Sequence, residues 1–462
     1  MKTDTDSSKL DPGAWKVIGV VLLGPLMAQM DSTIVNVSLS NIRESLNASI
    51  ASAQWIISGY LLALALMLPL NGWLVDRLGA KRLYIGCFTL FTLTSALCGA
   101  AHTMDQLIGA RLLQGVAGGL LAPLTQMMIA RVAGRHMARV IGYSATPILL
   151  APTFGPIVAG AILKYASWPW LFYVNLPVGI IAVVLAMYVL PHDGALIQRR
   201  RFDGLGFLLI SPGLACFLYG IEQTAHHEGN GFLIFGIILL TSFVWHAYRK
   251  KEKALIDLEM FKIRIFTTAA ITQFISNGVM YAGQFLIPLY LTLGCGLSAE
   301  RVGWLLAPMG IGMMFIYPFM GAVTDRFGCR AVATGGVLMN ILGTLPFVWM
   351  IHHGFSAPWL AITLMARGVG QGATGIPTIS AAYASVPQDK LGLATTAMNI
   401  VQRLGGPLAT TGLALLVATT TTSGSGVSGP EGFLIPFVAL ILLQTLVAVF
   451  AIRLPVRIHQ EN

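Results

Sequence analysis

The chain of 462 residues is 55% hydrophobic and 10% charged, with 29 Lys and Arg against 19 Asp and Glu for a net charge of +10. A soluble domain carries about 25% charged residues, so this chain lacks the groups to cover a water-facing surface, and its mean hydropathy of +0.74 agrees. A soluble enzyme, a secreted disulfide scaffold and a disordered chain are excluded, and a cytosolic nucleic-acid binder is disfavoured in spite of the positive charge.

About 20 apolar residues are needed to cross roughly 30 Å of hydrocarbon as a helix, and fourteen runs qualify. The first, Lys16–Leu39, carries Asp31, the one acidic residue placed deep in a run. A carboxylate there must face a wet cavity or find a partner. On a helical wheel Gln29, Ser32, Thr33, Asn36 and Ser40 share one face and Asp31 lies nearly opposite, so the pattern leaves open which face lines a cavity. The second run, Trp55–Leu74, contains Tyr60 and leads through a short basic loop, Gly72-Trp-Leu-Val-Asp76-Arg77-Leu-Gly79-Ala-Lys81-Arg82, into the third, Leu83–Ala101. Its glycines permit a tight turn, and Asp76 can accept from backbone N–H groups at a neighbouring helix N-terminus. Such a contact can latch one conformation; the simpler reading is a topology signal. The fourth run, Gln106–Ala130, brings Arg111 and Gln114. Arg111 is the natural counter-charge to Asp31, unless it snorkels to the interface. The fifth, Val140–Tyr165, holds Gly142, Ala151, Gly155-Pro156, Ala159 and Gly160, with further prolines at 147 and 152. Small residues every four positions admit a close neighbour, and prolines bend the helix.

Leu171–Leu190 is the sixth run, followed by Leu205–Gln223 and Phe232–Tyr248. The ninth, Phe266–Leu293, carries a polar stripe of Gln273, Asn277, Tyr281 and Gln284, read as cavity lining rather than helix–helix glue. Gly303–Val323, Val332–Met350 and Trp359–Tyr383 follow, the last with Arg367. The thirteenth, Ala394–Ala418, places Asn399 and Arg403 on overlapping faces, and Phe433–Ile452 is the fourteenth.

An internal repeat organises these runs. Gly72 to Arg82 recurs as Gly321-Ala-Val-Thr-Asp325-Arg326-Phe-Gly-Cys-Arg330 at an offset of 249. Gly142 recurs as Gly392, Gly155-Pro156 as Gly406-Pro407, and Arg111 more loosely as Arg367. Since the second loop copy follows only two runs of its half, runs seven and eight have no counterpart. The expected architecture is an all-α polytopic membrane protein of fourteen transmembrane helices: a six-helix bundle over 1–191, a basic linker with two extra helices over 192–265, and a second six-helix bundle over 266–462.

Of the Lys and Arg residues, 23 fall on the side that holds both termini, three (Arg43, Lys164, Arg301) on the other, and three inside runs. The positive-inside rule makes that side cytoplasmic, which also accounts for most of the +10 without acidic partners. The first run has no cleavage site and is a retained helix. The five cysteines show no paired or metal-type spacing. There is no GxxxxGK[ST] loop for ATP, His226-His227 and His352-His353 fall in outer loops, and no nucleophile–base arrangement stands out.

In register with these runs, the Gly72 to Arg82 loop resembles the signature loop of the major facilitator superfamily. Arg111-Leu-Leu-Gln114-Gly115 resembles its helix-four arginine motif. The Gly142 to Gly160 pattern resembles the antiporter helix-five motif, with alanine at two glycine positions. Asp31-Ser-Thr-Ile-Val-Asn36, Trp55 with Tyr60, and Trp168-Pro-Trp170-Leu-Phe172-x2-Asn175-x-Pro177-x-Gly179 are similar to the fourteen-helix drug:proton antiporter branch, though Pro169 replaces its usual arginine. The resemblance implies a major facilitator fold and a secondary transporter that exports small amphipathic or cationic compounds in exchange for protons, by alternating access. Asp31 and Arg111 would couple the proton. Asn36, Tyr60, Gln114, Gln273, Asn277, Tyr281, Gln284, Asn399 and Arg403 would line the substrate cavity. Gly72, Asp76, Arg77, Gly79, Lys81, Arg82, Gly321, Asp325 and Arg326 would form the conformational latch, and Gly142, Ala151, Gly155, Pro156 and Gly160 the antiporter helix motif. No enzyme activity, metal, cofactor or nucleic acid is expected; the partners are the substrate, protons and the lipid bilayer of the inner membrane, and the chain is expected to act as a monomer. Metabolite uptake is the first alternative, opposed by the helix-five motif and the single deep carboxylate. A membrane sensor is the second, opposed by the absence of a large loop.

Overall fold

A computed structural model describes residues 11–192, 201–223, 229–422 and 429–456. Lys2, Lys9, Arg199, Arg200, His226, His227 and Arg457 lie outside them. Among the described residues all regular structure is helical: α1 (Pro12–Ser45), α2 (Ile50–Met67), α3 (Asn71–Leu78), α4 (Ala80–Gly99), α5 (Met104–Ala133), α6 (Met137–Tyr165), α7 (Trp170–Tyr173), α8 (Asn175–Val189), α9 (Gly204–Glu222), α10 (Gly229–Lys250), α11 (Arg264–Leu289), α12 (Ala299–Phe327), α13 (Cys329–Leu342), α14 (Leu345–His353), α15 (Ala357–Ala384), α16 (Leu391–Thr422) and α17 (Leu434–Ala451). Eleven spans among the described residues are long and apolar enough to cross a membrane. Three helices outside that set, α6, α11 and α15, have comparable lengths of 29, 26 and 28 residues.

Three runs that read as continuous in sequence are broken. A 3-10 turn at Leu68–Leu70, built on Pro69, separates α2 from α3, because proline lacks the N–H that would continue the ladder. Val174 separates α7 from α8, and Gly343-Thr344 separates α13 from α14. Short polar residues start several helices: the Ser49, Thr103, Asp203 and Ser298 side chains accept from the N–H of Ser52, Gln106, Gly206 and Arg301, which satisfies donors left over at a helix start. Between α3 and α4, and between α12 and α13, a single glycine makes the turn. Gly79 and Gly328 both have φ of 83°, a value that strains any residue with a Cβ.

The two halves repeat each other's packing. α1 lies against α5, α6 and α8, as α11 lies against α15, α16 and α17. α2 packs on α5 as α12 packs on α15; α4 touches α5 and α8 as α13 touches α15 and α17. Lys81 closes its half by donating to the carbonyls of Met187 and Leu190 at the end of α8, at 2.7 and 2.8 Å. Arg330, its repeat partner, donates to the Leu454 carbonyl just beyond α17 at 2.7 Å. These cations sit where helix carbonyls lack partners. Lys81 therefore ties α4 to the end of α8 within its own half. The extra pair α9 and α10 pack on one another, and α9 leans on α2 and α16, with Trp55 stacked on Tyr219 at 6.2 Å. The five cysteines are free.

Candidate functional site

The largest fully buried side chains are not aromatic but Arg111 and Arg367, and each organises a polar cluster inside one half. Arg111 Nη1 donates to Asp31 Oδ2 at 2.5 Å and to Gln114 Oε1 at 2.6 Å, and its Nε donates to the Ile56 carbonyl at 3.3 Å. Asp31 Oδ1 accepts from Asn175 Nδ2 at 2.8 Å and more distantly from Gln114 Nε2 at 3.4 Å. Ser95 Oγ accepts from Asn175 at 3.0 Å and from Gln114 at 3.2 Å, and donates to the Phe172 carbonyl at 3.1 Å. The Tyr60 ring covers the guanidinium with its centroid 4.3 Å from Cζ, a cation–π contact. Asp31 is 0% and Arg111 1% exposed. Taking two charges out of water costs several kcal/mol per ion, offset only when geometry is good and the remaining donors and acceptors are met. α1, α2, α4, α5 and α8 converge to supply partners for both carboxylate oxygens and for Nη1 and Nε of the guanidinium.

This geometry resolves the wheel left open by sequence. Asp31 points into the first half, while the opposite face of α1 carries exposed Gln29 and Asn36, and Thr33 on that side lies under Gly155 of α6. Two expected cavity residues are corrected. Gln114 is buried at 0% and holds Asp31; Tyr60 is buried as the lid on Arg111. Ser95 and Asn175 were missed as site residues. Asn175 stood within the Trp168 to Gly179 motif, and the α7–α8 break brings it to the carboxylate; nothing in the sequence marked Ser95.

The second half holds the repeat of this cluster without its acid. Arg367 is 1% exposed and donates to the Thr344 hydroxyl, which also accepts from Gln444 Nε2 at 2.9 Å. Thr344 and Gln444 occupy the places of Ser95 and Asn175, on α13–α14 and α17. Gly283 stands beside the guanidinium, close enough that a Cβ there would meet Nη2. No carboxylate pairs with Arg367 among the described residues, and its Nε has no partner.

Between the halves, the repeat motifs meet in two symmetric contacts. A Cβ at Gly72 of α3 would lie 2.7 Å from the Leu393 side chain at the start of α16, and one at Gly392 would lie 3.8 Å from Gly72 Cα. Correspondingly, a Cβ at Gly321 of α12 would strike the Arg139 backbone at the start of α6, and one at Gly142 would strike the Tyr317 carbonyl. Asp325 pairs with Arg139 at 3.7 Å. Asp76 is buried at 8%; Arg77 lies over Trp73 and Arg326 over Phe327, while Arg82 is exposed. Next to these contacts, Gln126 Oε1 accepts from Tyr383 at 2.6 Å and from Asn399 Nδ2 at 2.8 Å, and Asn71 donates to Thr396 at 3.3 Å. Asn399, expected in the cavity, is thus part of the seal, since its amide is used between halves. The contacts named here all lie toward the end that carries the basic loops.

The α11 stripe divides. Gln273 is buried and donates to the Gly375 carbonyl at 2.9 Å, which is helix glue and corrects its assignment to the cavity. Asn277 is half-buried, donating to the Gln273 carbonyl, and Tyr281 and Gln284 are exposed. Half-buried Arg403 of α16 lies within electrostatic reach of both Tyr281 and Tyr60, which belong to different halves. On α6, Ala151 and Gly155 are buried, and Pro156 and Gly160 are exposed.

Comparison with known proteins agrees with this architecture. The family model of the Major Facilitator Superfamily matches residues 21–410. A multidrug resistance protein B homolog of Mycobacterium tuberculosis is 33% identical over 420 residues, covering 88% of this chain and 77% of that protein. Among solved structures, the proton:xylose symporter XylE superposes with a TM-score of 0.64 at 14% identity, covering 95% of this chain and 94% of that one. The human organic anion transporter MFSD10 does so with a TM-score of 0.66 at 16% identity, covering 95% and 100%. At such identities these two structures speak for the fold alone.

Proposed function

The chain belongs to the major facilitator superfamily, and we propose that it exports small amphipathic compounds across the inner membrane in exchange for protons, with Asp31 as the proton-binding group. The observation that carries this reading is the sealed Asp31–Arg111 pair, in which both carboxylate oxygens and Nη1 and Nε of the guanidinium are held by neighbouring groups. Protonating Asp31 abolishes the pair and leaves the cluster with one uncompensated positive charge under the Tyr60 ring. Tyr60 lies within electrostatic reach of Asp31, of Arg111 and of Arg403 in the other half, so a change of one charge unit on Asp31 is felt where the two halves face each other. A carboxylate placed this way links proton occupancy to substrate occupancy, and by reciprocity substrate binding shifts the proton equilibrium.

The closed contacts at the basic-loop end support an outward-facing conformation, with both termini cytoplasmic and the substrate entering or leaving from the opposite side. Rocking one half on the other would part Gly72 from Leu393 and Gly321 from Arg139 and open the cytoplasmic side. Asn36, Tyr281, Gln284 and Arg403 line the substrate path in this reading. The name of the mycobacterial relative supports export of drug-like molecules. Proteoliposomes with an imposed pH gradient, challenged with a panel of amphipathic compounds, test it: at least one compound should accumulate only when the gradient opposes its flux. Accumulation that ignores the gradient for every transported compound would remove proton exchange.

A further inference from the structure

A cavity of about 560 Å³ opens at the basic-loop end between the extra helix pair and the seal, a size within the range of small-molecule sites. Its walls come from three parts of the chain. Trp73 of α3 and Leu393 of α16 supply one apolar side, from the two halves. Phe202, packed against Trp73 at 4.8 Å between ring centroids, and Leu255 supply the rest of the apolar lining. The charged side chains are Arg201, Lys250, Lys253 and Asp203.

The acid among them is already occupied. Asp203 accepts from Lys250 Nζ at 2.7 Å, from the N–H of Gly206 and of Leu255 at 3.1 Å each, and lies 3.0 Å from His246 Nε2. Its carboxylate is 1% exposed and serves to pin the linker to α9 and α10. Arg201 and Lys253 are exposed at the cavity, and among the described residues neither makes a hydrogen bond or ion pair. The chamber therefore offers two unspent cations, with Lys250 beside them, above an aromatic and aliphatic floor.

We propose that this cavity binds a phosphate-bearing anion, supplied by an anionic phospholipid headgroup or by a free phosphate ester. Arg and Lys are the groups that recognise phosphate, and basic residues at the cytoplasmic membrane surface draw anionic lipids. The aromatic and aliphatic wall suits the glycerol and first acyl carbons of a lipid. An occupant would touch Trp73, next to Gly72, and Leu393, which packs on Gly72; it would thereby brace the seal against the extra helices. That assigns α9 and α10 a purpose independent of the transported compound.

Native mass spectrometry of the purified full-length protein tests the site, after delipidation and readdition of phosphatidylglycerol, phosphatidylcholine or glycerol phosphate. Phosphatidylglycerol should be retained over phosphatidylcholine by at least about tenfold. The preference should vanish in Arg201→Gln/Lys253→Gln and persist in Arg249→Gln/Arg264→Gln, which removes the same charge outside the cavity. Lys253→Glu, at an exposed position, gives a second reading if the double variant does not fold. Retention of glycerol phosphate with no preference between the lipids, lost in the same variants, identifies the free ester as the source. Equal retention of every probe by wild type and the cavity variants overturns the proposal.

Discussion

Replacing Asp31 by asparagine is expected to do two things at once, and a double-mutant cycle separates them. Asp31→Asn keeps the shape of the side chain but leaves Arg111, 1% exposed, without its counter-charge. Breaking a buried pair from one side costs about 3–5 kcal/mol, most of it the uncompensated charge. Arg111→Gln should cost a similar amount, since it leaves the carboxylate held only by Asn175 and Gln114. The double variant has no stranded charge, and its amides can still bond to Asn175 and Ser95. Its loss should therefore fall below the sum of the single losses by about 2–3 kcal/mol, the upper range of measured couplings between contacting residues. Unfolding in detergent, followed with a thiol-reactive dye, is a suitable assay because Cys87, Cys98 and Cys329 are buried, and Cys98 sits against Gln114. Additive losses would refute the claim that the two charges hold one another, and with it the basis for assigning Arg111 to Asp31.

Other expectations follow from the seal and the linker. Gly321→Ala places a Cβ on the Arg139 backbone, whereas the clash in Gly72→Ala is with the movable Leu393 side chain and its backbone neighbours stay at 3.4 Å or more; Gly321→Ala should therefore open the basic-loop end far more, read as faster labelling of a cysteine introduced at Thr396. Cysteines at Gln126 and Asn399, whose side chains bond end to end at 2.8 Å, should be bridged by a short bis-methanethiosulfonate reagent and arrest transport until reduced; failure of the short reagent where a long one succeeds would contradict the closed contact. Burial acts to raise the pKa of Asp203, but the hydrogen bonds from Lys250, His246, Gly206 and Leu255 outweigh it and hold the carboxyl below its ordinary value. Its contribution is thus complete above pH about 4 and is lost as pH falls through the lowered value. An acid unfolding profile should steepen there and flatten in Asp203→Asn; identical profiles would remove Asp203 as the linker's anchor.

Much of the arrangement was legible because charge is so scarce in the chain. Asp31 and Arg111 stood out as charges inside runs, and the structure brings them together. The repeated glycines were visible as an offset, and they sit at the two symmetric contacts between halves. Side-chain partnerships were less legible, since polarity in sequence does not tell a cavity from a helix interface. Gln114, Gln273 and Asn399 each had the right polarity for a cavity, yet their amides are used by neighbouring helices. The bonds of Lys81 to the end of α8 were hidden as well, since nothing in the sequence places that end beside it. The breaks at Val174 and Gly343 were hidden within apolar runs, and they place Asn175 and Thr344 at the two guanidinium groups. The absence of an acid at Arg367 was readable in principle: the acid of the first half has no equivalent at the same offset in the second.

Proton release on substrate binding tests the central claim most directly. A transported compound is added to purified protein in weakly buffered detergent, and the pH change is read for wild type and for the Asp31→Asn/Arg111→Gln variant. If Asp31 exchanges its proton for substrate, wild type should release up to about one proton per molecule bound, and the variant should bind without release. Equal release from both would show that the proton resides elsewhere.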